Sequence, residues 1–261
     1  MTVISTRVAS GVAKTAPGVL RTPRSHRLSS DVLASRPVEG GVRPLVSIIL
    51  PAYNEERGIA AVLSSLRPVL DHRYDVIVVD DGSTDRTAIV AELWGARVVR
   101  HEVNRGKGAA LRTGFQASAA DHLVTLDADG TYPVSAIPEL VRLLEDGHGM
   151  AIGTRQGRGS MSPVNRVGNH VFRAAISITA RRRVRDPLSG MYGLRRDVVE
   201  RLDLRSEGFG IETEIVIKAA RAGASIVEIP VEYAERIGDS KLHAWRDGLV
   251  ISRTIASLLA R

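Results

Sequence analysis

The sequence predicts an α/β protein, with a mostly parallel sheet flanked by helices. Two observations carry that prediction. From Leu45 onward, short runs rich in Val and Ile alternate with segments of helical character, the pattern of successive βαβ units. Acidic and turn-forming clusters follow three of those runs directly, at the strand ends where open α/β sheets bind ligands.

Taken in order, strands are expected over residues 46–50, 75–80, 97–100, 122–126 and 150–153. Helices fall between them, near 59–70, 84–93, 107–119 and 134–145. Ser83 and Thr84 offer N-cap oxygens for the second helix. Pro138 lies inside the fourth helical pattern, so that helix starts there or bends there. The second half is less regular. A helix over 163–180 carries Val164, Val167, Val171, Ala174, Ala175 and Ile178 and runs into Arg181-Arg182-Arg183. A turn at 186–190 precedes a short strand over 191–194, a helix reaching about Arg221 and a strand over 225–231. The last segment, 244–261, is amphipathic, with Trp245, Leu249, Ile251, Ile255, Leu258 and Leu259 on one broad face.

Length and composition narrow the class. The chain has 261 residues, 44% of them apolar, and no internal repeat, so one folded domain over 44–261 is the simpler organisation. The absence of cysteine excludes disulfides and thiolate metal sites. Net charge is +7, but residues 1–43 hold seven basic residues against Asp31 and Glu39. That tail therefore carries +5 and the rest only +2, which argues against nucleic-acid binding by the folded part. The tail reads as a disordered basic segment; its Arg- and Ser-bearing, acid-poor character also fits a transit peptide or an arm on an anionic membrane. No stretch is long and apolar enough for a spanning helix.

Asp127-Ala128-Asp129 is the most informative motif. Two carboxylates one residue apart at a strand end are hard oxygen ligands suited to Mg²⁺ or Mn²⁺, and the cation can in turn hold a diphosphate. The triplet alone is weak, since Asp is common in such turns. Its company gives it weight: Pro51-Ala-Tyr53-Asn-Glu55-Glu56 follows the first strand and Asp80-Asp81-Gly-Ser83-Thr-Asp85 the second, three polar clusters that read together as one nucleotide-sugar site. One of Asp80 and Asp81 is expected to cap the next helix. Asn104-Arg-Gly-Lys-Gly108 has neither phosphate-loop spacing, so its glycines read as room for close backbone approach at a helix start.

These motifs, together with Ile152-Gly-Thr-Arg155, Asp186-Pro-Leu-Ser-Gly190, Ile211-Glu-Thr-Glu214 and Arg236-Ile-Gly-Asp-Ser-Lys-Leu242, resemble the family 2 glycosyltransferases of GT-A fold. Within them the chain is similar to the dolichyl- or polyprenyl-phosphate mannose synthases over about residues 45–245. The resemblance implies nucleotide-sugar contacts for Pro51, Tyr53, Glu55, Val78, Asp80, Asp127, Ala128 and Asp129. It implies metal ligation by Asp127 and Asp129, and an acceptor-phosphate pocket of Arg155, Arg166, Arg236 and Lys241. Asp127, Asp129, Arg155 and Arg236 are the expected catalytic set. The related synthases often carry glutamine where Thr131 stands, which leaves a third protein ligand in question.

The expected activity is inverting, metal-dependent transfer of a hexose from a nucleoside-diphosphate sugar to a polyprenyl phosphate at the cytoplasmic membrane face. Mannose from GDP-mannose leads and glucose from UDP-glucose follows. A phosphate acceptor is already anionic and needs no strong base; Asp186, Glu212 and Glu214 are candidate bases for a hydroxyl acceptor and otherwise order loops or hold sugar hydroxyls. The helices 163–180 and 244–261 either lie at a membrane interface or cover the sheet. The alternatives are a soluble acceptor and a non-catalytic nucleotide-sugar-binding subunit.

Overall fold

Strand β1 (Val46–Ala52) begins the architecture, and its run VSIILPA is buried at nearly every position because helices cover both faces of the sheet. The computed structural model describes residues 44–156, 172–239 and 244–259. Among them the strands are β1, β2 (Tyr74–Asp80), β3 (Arg97–Arg100), β4 (His122–Thr125), β5 (Met150–Gln156), β6 (Tyr192–Arg195) and β7 (Ile226–Glu232). They form one sheet in the order β3-β2-β1-β4-β6-β5-β7. All run parallel except β6, which is antiparallel to both β4 and β5. The parallel strands therefore end on one edge.

The helices are α1 (Glu56–Leu66), α2 (Thr87–Leu93), α3 (Lys107–Ala117), α4 (Ile137–Glu145), α5 (residues 172–179), α6 (Arg196–Val199), α7 (Ile211–Arg221) and α8 (Ala244–Leu259). Period-two alternation splits the core. Ile48, Leu50, Val78 and Val124 pack with α1, α2 and α4, while Ile49, Ile77 and Val79 pack with α3. The second layer continues through Ile176 of α5, Ile211 and Ile215 of α7, and Ile251, Ile255 and Leu258 of α8. The apolar face of α8 thus largely covers other helices. No described helix is long and apolar enough to cross a membrane.

Some expectations need correction. Ser83 and Thr84 do not cap α2, which starts at Thr87 with no side-chain cap. Their partner is Asn54 of the β1 loop: Asn54 N–H donates to Ser83 Oγ (2.9 Å), and Thr84 N–H donates to Asn54 Oδ1 (2.8 Å). Asp85 takes over the helix start, accepting from Thr87 N–H (2.9 Å). Helix α1 begins three residues earlier than expected and stops before Pro68, whose ring cannot continue it. Pro138 bends nothing: it sits in the first turn of α4, after a 3₁₀ turn at Val134–Ala136, where a missing N–H costs no bond. Residues 1–43, Arg166 and Lys241 lie outside the described residues.

His122, at the start of β4, has a buried Nδ1 without a hydrogen-bond partner. Burial holds its pKa below the ordinary 6.5. The folded state thus disfavours the protonated ring, and stability is intact above about pH 6.5 and falls as pH drops through the lowered value. A urea midpoint that declines from pH 7.5 to 5.5 in the parent, and declines less in His122→Gln, is expected.

Candidate active site

The carboxyl edge of the sheet gathers the charged residues. Asp129, 6% exposed in the loop after β4, is clamped by the Thr131 backbone N–H (3.0 Å) and hydroxyl (2.7 Å), both on Oδ1. Its Oδ2 accepts from Arg236 Nη1 at 2.9 Å. The other arm of the Arg236 guanidinium pairs with Glu55, the residue just before α1. Arg236 is held there because the chain after β7 runs along the Asp129 loop: Ala234 N–H donates to Thr131 O and Ile237 N–H to Asp129 O, each at 2.9 Å. Thr131 is thus occupied in shaping Asp129.

Asp127 faces a different cation. Lys107 Nζ, at the start of α3, lies 2.6 Å from Asp127 Oδ1 and 2.6 Å from Glu212 Oε1 of α7. Burial alone would lower the Lys107 pKa, but two carboxylates on one ammonium outweigh it and hold Lys107 charged well above its usual range. Burial pushes Glu212 up, because Lys107 is shared with Asp127 and offsets the cost only in part. Lys107 was not among the expected site residues. Its loop lacks phosphate-loop spacing, and no linear pattern ties it to Asp127. The helix start itself is occupied by protein: Gly108 N–H (2.7 Å) and Ala109 N–H (3.2 Å) donate to Glu207 O. Gly106 and Gly108 leave room for that segment, since a Cβ on Gly106 would lie 2.5 Å from Glu207 O.

Arg155, near the end of β5, forms a two-pronged pair with Asp186 at 2.7 Å on each arm. Hydrogen bonds from Arg155 to Asp186 raise its pKa despite burial. Asp186 thereby acts as the holder of Arg155 and not as a free base. A line of contacts joins Arg155 to the carboxylates. Its guanidinium lies over the Tyr233 ring at 5.5 Å, and Tyr233 meets Tyr132 edge-on at 5.2 Å. Tyr132 OH accepts from Gly190 N–H (2.8 Å), and Gly190 abuts the Asp127 carboxylate so closely that a Cβ there would sit 2.3 Å from Oδ2. Glu214 orders a loop, accepting from Arg205 N–H and Ser206 N–H.

The remaining expected nucleotide residues divide by exposure. Tyr53 and Pro51 are half-buried at the edge. Ala128 is buried, and Val78 lies wholly within the apolar layer beneath α1, so it supports the site from below. Asp80 is fully buried, held by Arg100 (2.9 Å) and Ser83 N–H (3.1 Å). Asp81 accepts from His101 Nδ1 (2.6 Å) and from Gly106 N–H (2.7 Å), fixing the loop that delivers Lys107.

Gly58 on α1 packs tightly against the backbone of the Asp127–Asp129 loop. A Cβ there would lie 2.4 Å from Ala128 O and 3.1 Å from Asp129 Cα. Gly→Ala in a helix ordinarily stabilises by roughly 1 kcal/mol. Gly58→Ala should instead destabilise by about 1–3 kcal/mol, the scale of overpacking against backbone. Chemical denaturation reads the sign directly.

Residues 47–203 match the model of glycosyl transferase family 2. The chain belongs to that family. A dolichyl-phosphate hexose transferase of Haloferax volcanii is 34% identical over 215 residues, covering 82% of this chain and 93% of the relative. A dolichol-phosphate mannosyltransferase of Pyrococcus furiosus is 33% identical over 214 residues, covering 76% of this chain and 59% of the longer relative. Glucosyl-3-phosphoglycerate synthase of Mycobacterium tuberculosis, solved with Mn²⁺, UDP and glucosyl-3-phosphoglycerate, superposes with a TM-score of 0.70 at 29% identity, over 83% of this chain and 80% of that one. The same synthase was also solved with Mg²⁺ and UDP. The protein is therefore a glycosyltransferase with a GT-A-like fold.

Proposed function

We propose that this family 2 glycosyltransferase moves a hexose, mannose before glucose, from a nucleoside-diphosphate sugar to a polyprenyl phosphate at the cytoplasmic face of a membrane. The observation that carries the reading is the pairing of Asp127/Asp129 with Arg155 along one sheet edge, joined through Gly190, Tyr132 and Tyr233. One end suits a cation and diphosphate, the other an anionic nucleophile.

The residues fit a divalent cation. No group of three or more His, Cys, Asp or Glu positioned for a metal occurs among the described residues. Two hard carboxylates at a strand end, completed by substrate phosphate oxygens and water, are nevertheless the usual way Mg²⁺ is held. Asp127 and Asp129 would hold Mg²⁺ or Mn²⁺, which supplies charge neutralisation for the departing diphosphate. Lys107 and Arg236, already beside those carboxylates, keep positive charge at the same place. Arg155, immobilised by Asp186, presents its guanidinium to the acceptor phosphate. One phosphate oxygen forms the bond to the anomeric carbon as the bond to the diphosphate oxygen breaks, and the electron pair leaves with the diphosphate. Attack opposite the leaving group inverts the anomeric centre. Positioning and fixed charge do the chemistry, with no proton to remove from the acceptor.

A second reading keeps the donor chemistry and takes a soluble phosphate ester; the likeness to glucosyl-3-phosphoglycerate synthase favours it. Incubation with radiolabelled GDP-mannose or UDP-glucose, Mn²⁺ and polyprenyl phosphate, followed by butanol extraction, separates the two. Label in the butanol phase is expected. Product confined to water would remove the lipid acceptor, and no turnover with either donor would leave a binding subunit.

A further inference from the structure

We propose that two arginine-lined clefts where α5, α7 and α8 end form a docking surface for anionic phospholipid headgroups, separate from the catalytic edge. The inference rests on the lipid-acceptor reading for its purpose, but not for its measurement. One cleft, of about 480 Å³, is lined by Arg182, Arg183, Arg185, Ile226 and Glu228. The adjoining one, of about 660 Å³, is lined by Ala180, Arg181, Arg182, Ala220, Arg221 and Leu259. Among the described residues the two clefts are lined by five arginines and one acid, and Glu228 is already engaged: its Oε1 accepts from Arg185 N–H (2.8 Å) and Asp186 N–H (3.1 Å).

The walls of these clefts are fixed by the fold. Arg221 donates to Thr179 O near the end of α5 (3.2 Å) and to Leu258 O near the end of α8 (2.7 Å), drawing the three helix ends together. Arg182 donates to Ile226 O, where edge strand β7 begins (2.7 Å). Arg181, Arg183 and Arg185 are left exposed. Beside them stand two large apolar side chains that the core does not use, Ile178 at 74% exposure and Leu259 at 59%. Ile176, Ile251, Ile255 and Leu258 of the same helices are buried, whereas Leu249 of α8 is 58% exposed, so much of the described apolar face of these helices is taken up by the fold. Beside the clefts the fold leaves a cationic rim with the apolar tips of Ile178 and Leu259. That combination matches the phosphate layer of a bilayer, with the apolar tips reaching the glycerol level. Arg185 directly precedes Asp186, the holder of Arg155, so the chain links the cleft rim to the acceptor end of the site.

Co-sedimentation of the full chain with vesicles, without donor or acceptor, tests this. Binding should be strong to phosphatidylglycerol–phosphatidylcholine vesicles, weak to pure phosphatidylcholine, and reduced by salt. Each arginine neutralised near such a surface weakens binding about fivefold, so Arg183→Gln/Arg185→Gln should weaken it roughly 25-fold. Ile178→Ser should weaken it at every salt concentration, and Arg21→Gln/Arg24→Gln in the basic tail should leave it unchanged. Unaltered thermal melting of each variant excludes unfolding. Cleft variants that bind like the parent, or a loss confined to the tail variant, would overturn the proposal. Transfer to detergent-dispersed polyprenyl phosphate, measured on the same variants, reports on the acceptor separately.

Discussion

Replacing Asp127 and Asp129 together by asparagine should lower sugar transfer on the order of a thousandfold, the scale at which preorganised charge at a departing group is lost. The substitutions keep volume, remove the negative charge and turn one acceptor oxygen of each side chain into an amide N–H donor. Lys107 retains Glu212, and Arg236 retains Glu55, so neither cation is orphaned by the change. The fold should therefore survive, with a melting temperature within a few degrees of the parent. Two measurements check it: donor turnover, and the Mn²⁺-dependent rise in melting temperature with GDP or UDP. Turnover should fall by that factor and the Mn²⁺-dependent rise should be lost in the same variant. Transfer within tenfold of the parent would remove the metal-bearing role from these carboxylates.

Arg155→Lys should raise the acceptor KM while leaving the donor KM nearly unchanged, with kcat/KM for the acceptor down on the order of 10²- to 10³-fold. An ammonium cannot reproduce a planar fork that already engages Asp186 on both arms. Arg155→Ala should be worse in a distinguishable way. It leaves the Asp186 carboxylate, 13% exposed, without its charge partner, and removing one member of a buried pair costs about 3–5 kcal/mol in fully buried cases. Solvent access makes the lower end the expectation. Activity and melting temperature both fall in the alanine variant; activity alone falls in the lysine variant. Equal effects on donor and acceptor KM would place Arg155 outside the acceptor pocket.

The Lys107 environment explains why part of the site was hidden in the chain. Asp127 and Asp129 were legible because a strand end and an Asp-x-Asp spacing are local features. Tyr53 and Glu55 were legible for the same reason, each following a Val/Ile-rich run. Lys107 meets Asp127 from the start of α3, Glu212 joins them from α7, and no periodicity links the three. Thr131 looked like a missing ligand; in the fold it is the clamp on Asp129. Asp186 looked like a spare base and is the partner of Arg155. Ser83 and Thr84 looked like caps because that pattern usually is one, yet Asn54, about 30 residues away, took both. In each case a local signal was right about polarity and silent about the partner.

By itself the sequence determined the alternation of strands and helices, the sheet edge bearing the acidic clusters, and the absence of cysteine chemistry. Those depend on side-chain periodicity and residue type, which are properties of neighbouring positions. Only the tertiary structure decided that β6 enters the sheet reversed between β4 and β5. It also decided that Arg236 bridges Asp129, 107 positions away, and Glu55, 181 positions away. A parallel sheet brings the ends of distant strands to one edge, and which charges then face one another depends on strand order and loop path, quantities that no single stretch of chain contains.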